Sequence, residues 1–329
     1  MSEATGEKIN TETSFTVSID TTLRFVLLLA VFTISMVVGA LYTGGDQLTY
    51  TKVYDQIGSM DLVEAFTFYT FWLTSVEIIH FLVIWLASSY IPKIFLFSLI
   101  NTFFSYLVIR VFDIHKVHFL VTSTFLLTNF YMYVLFFAAE RLKFGFILLA
   151  LGLCIQSHKK LKYTAFFLSI TAHFQMLVVI LPKLFQMTFR SIIYTLKSGR
   201  FKKAVLLIFI PLIFILLVAP NILLKVESYY NSSRGITTFI PMLLVFILSL
   251  FYAPKYTDLV DILLIFFPLF IAVYIIGGDR VNMIGYIYFL SYALKYNHGI
   301  NIGILITGIY FLGKNVIFLT NVIQMGRGF

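Results

Sequence analysis

Charge is what this sequence has least of. Lys, Arg, Asp and Glu make up 12% of its 329 residues, against about 25% in a soluble domain. Apolar residues reach 60% and the mean hydropathy is +0.95. This balance excludes a soluble globular protein, and no stretch is long and polar enough to form a separate soluble domain. Cysteine is nearly absent: Cys154 stands alone inside an apolar run, which excludes an internal disulfide. The marks of familiar soluble chemistries are missing too. There is no Walker-type glycine loop, no HExxH zinc pair and no GxSxG elbow. His115 and His118 are three apart, but Asp113 is the one carboxylate beside them, so neither a metal nor a cofactor is expected. The net charge of +9 does not point to nucleic acid, because the basic residues mostly flank apolar segments, where they set topology.

Apolar runs recur from Leu23 to the C-terminus. Their length fits helices better than barrel strands, and predicts an all-α integral membrane protein, a polytopic helical bundle of about 9–11 membrane segments. Residues 1–21 read as a disordered cytoplasmic tail, residues 22–320 as one membrane domain with outer-face loops at 43–72 and 221–238, and residues 321–329 as a tail. Full spans are expected at Leu23–Tyr42, Lys93–Phe112, Phe119–Ala139, Leu142–Gln156, Ala204–Ala219, Phe239–Ala253, Leu259–Ile276, Val281–Tyr296 and Ile300–Leu319. Thr74–Ser89 carries Glu77 and His80 on one helical face and reads as interfacial. Tyr163–Leu184 has basic stretches on both sides and reads as re-entrant, with His173 near its apex, or, since no Gly or Pro is there to turn the chain, as one complete span with a basic outer loop.

This topology gathers Asp46, Glu77, His80, Arg141, Arg234, Asp279 and Arg280 at one face, with His173 approaching from within the membrane. Several cations beside a few carboxylates suit a phosphate or pyrophosphate carried on a lipid, because the planar guanidinium pairs with phosphate oxygens. Each residue also has a plainer reading. Arg141 can pair with its neighbour Glu140, Arg280 can snorkel to the interface, and His173 can bond a neighbouring helix. Arg234 can be solvated in a polar loop, Asp46 can cap a helix starting near Leu48, and Glu77 with His80 can form a local polar stripe.

The same stretches resemble the polytopic polysaccharide polymerases of the Wzy/EpsG-like group. GGDQLTYTKVYDQI is similar to that group's outer G-D-x-x-x-Y segment, and SVEIIHFLVIWLAS to its E-P-L-like helix. ERLKFGFILLALGL with HKKLKYTAFFLSITAHFQMLVVILPKL resembles its arginine-headed helix, lysine-rich turn and histidine segment, and GGDRVNMIGYIYF its late R-x-x-x-Y-F element. The chain departs from the pattern where Leu142-Lys143-Phe144-Gly145 follows Arg141, where Ile78 replaces a proline after Glu77, and where Phe174-Gln175 follows His173.

The resemblance implies a GT-C-like glycosyltransferase architecture in the bacterial cytoplasmic (inner) membrane, with the active site facing outward. It implies a metal-independent polymerase of O-antigen, capsule or exopolysaccharide. A growing glycan would pass from undecaprenyl pyrophosphate to the non-reducing end of another lipid-linked repeat unit, with a chain-length regulator protein as a possible partner. On this reading Arg141 and Arg280, helped by Arg234, hold the pyrophosphate. His173, or else Asp46, takes the acceptor proton, and Glu77, His80 and Asp279 touch substrate. The rival readings are an O-antigen ligase-like transferase, a flippase or exporter of lipid-linked oligosaccharide, and a membrane acyltransferase.

Overall fold

The computed structural model describes residues 19–199 and 238–329. Among these residues every regular element is helical. The chain is a multi-pass helical membrane protein. Five of its described helices are long and apolar enough to cross a membrane alone, and seven spans result if each of two bent pairs is counted as one. Among the described residues this is fewer than the eight full spans expected there, the ninth, Ala204–Ala219, lying outside them. Three predicted full spans are helices of 11 to 16 residues, reaching only about 16–24 Å at ~1.5 Å per residue, short of a ~30 Å hydrocarbon core.

Helix α1 (Ile19–Leu41) packs antiparallel to α5 (Lys93–Ile114). Arg24 near the start of α1 pairs with Asp113 near the end of α5, while Gly39 lies beside Ile94. The end with Arg24 and Asp113 is here called the foot, and the other the head. Between these helices the chain forms α2 (Asp46–Ile57), α3 (Leu62–Leu73) and α4 (Ile78–Ser88) at the head. Asp61 caps α3 by accepting from the Val63 and Glu64 amides, both at 2.9 Å. Helices α3 and α4 meet at a 118° bend, where Thr74 takes a left-handed C-cap conformation. Helix α4 has 11 residues, too few to cross a membrane alone. Its Glu77–His80 side does not face a surface as the interfacial reading supposes. Both residues are buried, because Tyr69, Phe144 and Arg141 close over them.

The ascending leg after α5 is α6 (Phe119–Thr128), then α7 (Phe130–Tyr133) continued by a π-turn at Val134–Ala138. Next, α8 (Glu140–Cys154) descends and α9 (Lys159–Ala172) returns against it. Glycines allow close approach here: a Cβ on Gly152 would lie 2.5 Å from Phe166 of α9, and one on Gly145 2.4 Å from the side chain of Met176, just after the turn that follows α9. The chain does turn at His173, but the segment is not a symmetric pair of half-helices. The second arm is α10 (Met176–Lys197), a 22-residue helix that can cross a membrane by itself. Without Gly or Pro, the imidazole makes the turn. His173 is extended, and its Nδ1 accepts from the Gln175 amide at 3.1 Å, as an Asx side chain caps a new helix. His118 does the same for the Leu120 amide at the start of α6.

After the undescribed stretch come α11 (Ile240–Leu250), α12 (Tyr256–Ile276), α13 (Gly278–Ala293) and α14 (Ile302–Met325). The expected break at Gly277 is present, with φ 102°, a backbone region open essentially to glycine alone. The expected C-terminal tail is not. Helix α14 runs on to Met325, and the last residues fold back so that Phe329 packs on Phe130 and Phe318. The expected span Ala204–Ala219 and most of the expected outer loop 221–238 lie outside the described residues.

Candidate functional site

Arg141 is the second residue of α8, as its place at the head of an apolar run predicts. Its partner is not Glu140. Nη1 donates to Glu77 Oε2 at 2.9 Å and to the Leu73 carbonyl at 3.2 Å, and Nε donates to the Tyr50 hydroxyl at 3.1 Å. Burial pushes the Tyr50 phenol above its ordinary range while Arg141 pulls it back, so the phenol is a neutral acceptor. Arg141 thus ties α8 to α2 and to both sides of the α3–α4 bend. Glu140 turns the other way, 3.3 Å from Lys93 Nζ.

His173 and His80 complete this network. His173 Nε2 lies 3.5 Å from Glu77 Oε1. Because Nδ1 accepts a backbone amide, the neutral ring carries its proton on Nε2, toward the carboxylate. His80 Nδ1 meets the Tyr69 hydroxyl at 2.9 Å, and the ring packs edge-on to Phe144. Glu77, His80 and His173 are buried, and with the part-exposed Arg141 they form one unit. The Arg141 charge is largely met within it, and both ring nitrogens of His173 are occupied.

Asp46 and Arg280 stand elsewhere, together. Both line a cavity of about 800 Å³ at the head, with Lys314 and Arg327. Asp46 is exposed and is the first residue of α2; it makes no capping hydrogen bond, and Gly45 is the N-cap. The helix begins two residues before the predicted Leu48, so the capping reading of Asp46 does not hold. Arg280 is exposed on the first turn of α13. Lys314 sits over the rings of Tyr310 and Phe130, at 5.2 and 5.6 Å. Among the described residues none of the three cations has an ion-pair partner.

Arg327 reaches this cavity because the C-terminus is bonded to the loop before α2. The amides of Thr43 and Gly44 donate to the Gly326 carbonyl at 2.9 and 2.6 Å. Ala139 and Leu142 of the α8 head also line the cavity, so the Arg141 network lies directly behind it. Arg234 falls outside the described residues, as does the side chain of Asp279. Sequence reasoning passed over Lys314 and Arg327. A lysine inside an apolar run is a signal in itself, since charge at membrane depth is costly. Arg327 gives no such signal, because a basic residue near a chain end is ordinary.

No group of three or more potential metal ligands occurs among the described residues. Compared with known proteins, the chain matches no family model, no curated sequence and no solved structure.

Proposed function

We propose that this protein is a membrane glycosyltransferase that polymerises lipid-linked oligosaccharide repeat units. The growing glycan leaves undecaprenyl pyrophosphate and joins the non-reducing end of another lipid-linked repeat, at the outer face of a bacterial cytoplasmic membrane. The observation that carries this reading is the head cavity, where Arg280, Lys314 and Arg327 face Asp46 across about 800 Å³. Three cations without a carboxylate partner among the described residues suit a pyrophosphate, and apolar neighbours such as Phe130 and Ile317 suit the start of a lipid tail.

In the transfer, the acceptor hydroxyl oxygen attacks the anomeric carbon of the donor sugar. The bond from that carbon to the pyrophosphate oxygen breaks, its electron pair leaves with the pyrophosphate, and the hydroxyl proton passes to a carboxylate. Arg280, Lys314 and Arg327 stabilise the charge that grows on the leaving group. With both His173 nitrogens engaged, the base is Asp46. Arg141 then acts as a positioning residue. It bonds Tyr50, one turn along the helix that Asp46 begins, and so fixes the carboxylate relative to α8.

The test is a deletion strain complemented with wild type, Arg280→Ala, Arg327→Ala or Asp46→Asn at equal membrane levels, its surface polysaccharide resolved on a gel. The expected result is single repeat units in the deletion strain, a ladder with wild type, and single units with each variant. Lipid-linked units accumulating inside, with none outside, would favour the exporter reading instead. A full ladder in the deletion strain would dismiss both.

A further inference from the structure

A second cavity, of about 760 Å³, opens between α1, α2 and α5 on the other side of Tyr42, which lines both cavities. Its wall differs in kind from the cationic one. Besides Ser88 Oγ, three buried polar atoms there have no hydrogen-bond partner among the described residues: Ser98 Oγ, Asn101 Oδ1 and Glu140 Oε2. Their residues are at most 4% exposed. Asn101 spends its amide hydrogens on Ser35 Oγ at 3.2 Å and the Phe136 carbonyl at 3.4 Å. Glu140 uses its other oxygen on Lys93. Buried acceptors without donors are costly and rare in folded proteins, and here two of the three can only accept.

The ligand that meets this need brings hydroxyl groups. A metal ion or organic cation is disfavoured, because two ammonium groups already stand here. Lys93 Nζ reaches Gln47 at 2.7 Å, and Lys52 also lines the cavity. An anion is disfavoured by the Glu140 carboxylate and by Asp55 at the mouth. Tyr54 and Phe97 supply apolar walls, and the volume lies within the ~300–1,000 Å³ usual for ligand sites.

We infer that the cavity between α1, α2 and α5 is a neutral-sugar subsite, seating the acceptor glycan beside the pyrophosphate cavity. The assignment of an acceptor rests on the transfer reading above. The assignment of a saccharide rests on the unpartnered acceptors alone.

The experiment places single cysteines in the full-length protein after Cys154→Ala, in detergent, and measures maleimide labelling rates. Thr51→Cys and Asp55→Cys report on this cavity, and Asn321→Cys on the cationic one. The probes are sodium pyrophosphate and the neutral oligosaccharide released by mild acid from the polyprenyl-linked pool of the host membranes. The oligosaccharide is expected to slow labelling several-fold at both Thr51→Cys and Asp55→Cys and not at Asn321→Cys, and Asn101→Leu is expected to abolish that protection. Pyrophosphate is expected to do the reverse. Unchanged rates at both Thr51→Cys and Asp55→Cys with oligosaccharide overturn the sugar subsite, even where pyrophosphate still protects Asn321→Cys. Protection by oligosaccharide without any by pyrophosphate keeps the subsite and removes the transfer reading. Protection that survives Asn101→Leu overturns the role given to the unpartnered acceptors.

Discussion

At the residue scale, the arginines divide by what they touch. Arg141 is bonded to Glu77, Tyr50 and a carbonyl, and the Glu77 carboxylate is 7% exposed. Removing one partner of a buried pair leaves the other charge uncompensated, at a cost of about 3–5 kcal/mol. Glu77→Gln and Arg141→Ala are each expected to lower the unfolding temperature in detergent, and the double variant to lose less than the sum of the two. Additive losses would mean that the pair is not coupled. Arg280→Ala and Arg327→Ala change exposed side chains, so each is expected to move stability by no more than ~0.5 kcal/mol while abolishing the polysaccharide ladder. A ladder lost only together with stability would return these residues to a structural role.

At the element scale, helix breaks and close approaches carry the site. Gly277 at φ 102° has nothing within 4 Å of the position a Cβ would take, so Gly277→Ala pays for backbone strain alone, about 1–3 kcal/mol. That loss, read by thermal unfolding, would come without a packing defect and would not be rescued by trimming neighbours. Gly145→Ala is the opposite case. Its Cβ would meet the buried Met176 side chain at 2.4 Å, and overpacking costs about 1–3 kcal/mol. Here Met176→Ala is expected to restore part of the loss, because the clash is with one flexible side chain; no restoration would place the strain in the α8–α9 backbone.

At the scale of the whole molecule, the two ends differ in charge and in role. The foot holds Arg24 with Asp113 and Arg190 with Asp261 at 2.6 Å, and the lysine turn at Lys159, Lys160 and Lys162 starts α9 there. Helix α1 starts at the foot and α14 ends at the head, where Gly326 bonds the loop before α2. The positive-inside rule predicts that the foot is cytoplasmic. Cysteines placed at Arg327 and at Lys160 are therefore expected to react with an impermeant maleimide from opposite sides of sealed vesicles. Reaction from the same side would reverse the reading of α8 and α9 as a hairpin reaching from head to foot. Removal of residues 326–329 is expected to abolish the ladder, since it deletes Arg327 and the Phe329 contacts with Phe130 and Phe318.

Local chemistry by itself determined the helical membrane class, the place of Arg141 at a helix head, the turn at His173 and the stop at Gly277. The class and the place of Arg141 follow from apolar runs and the charge that interrupts them, the stop at Gly277 from a backbone that only glycine adopts, and the turn at His173 from the basic stretches on both sides of its segment. Which charges stay free was decided by the tertiary structure. Glu77 answers Arg141 from 64 positions away, and the C-terminal Arg327 shares a cavity with Asp46 through hydrogen bonds between two loops. Pairing between distant segments depends on how helices pack and where the chain bends. The 118° bend between α3 and α4 turns a polar stripe inward that the sequence alone assigns to a surface, because burying Glu77 becomes favourable only once Arg141 is there to meet it.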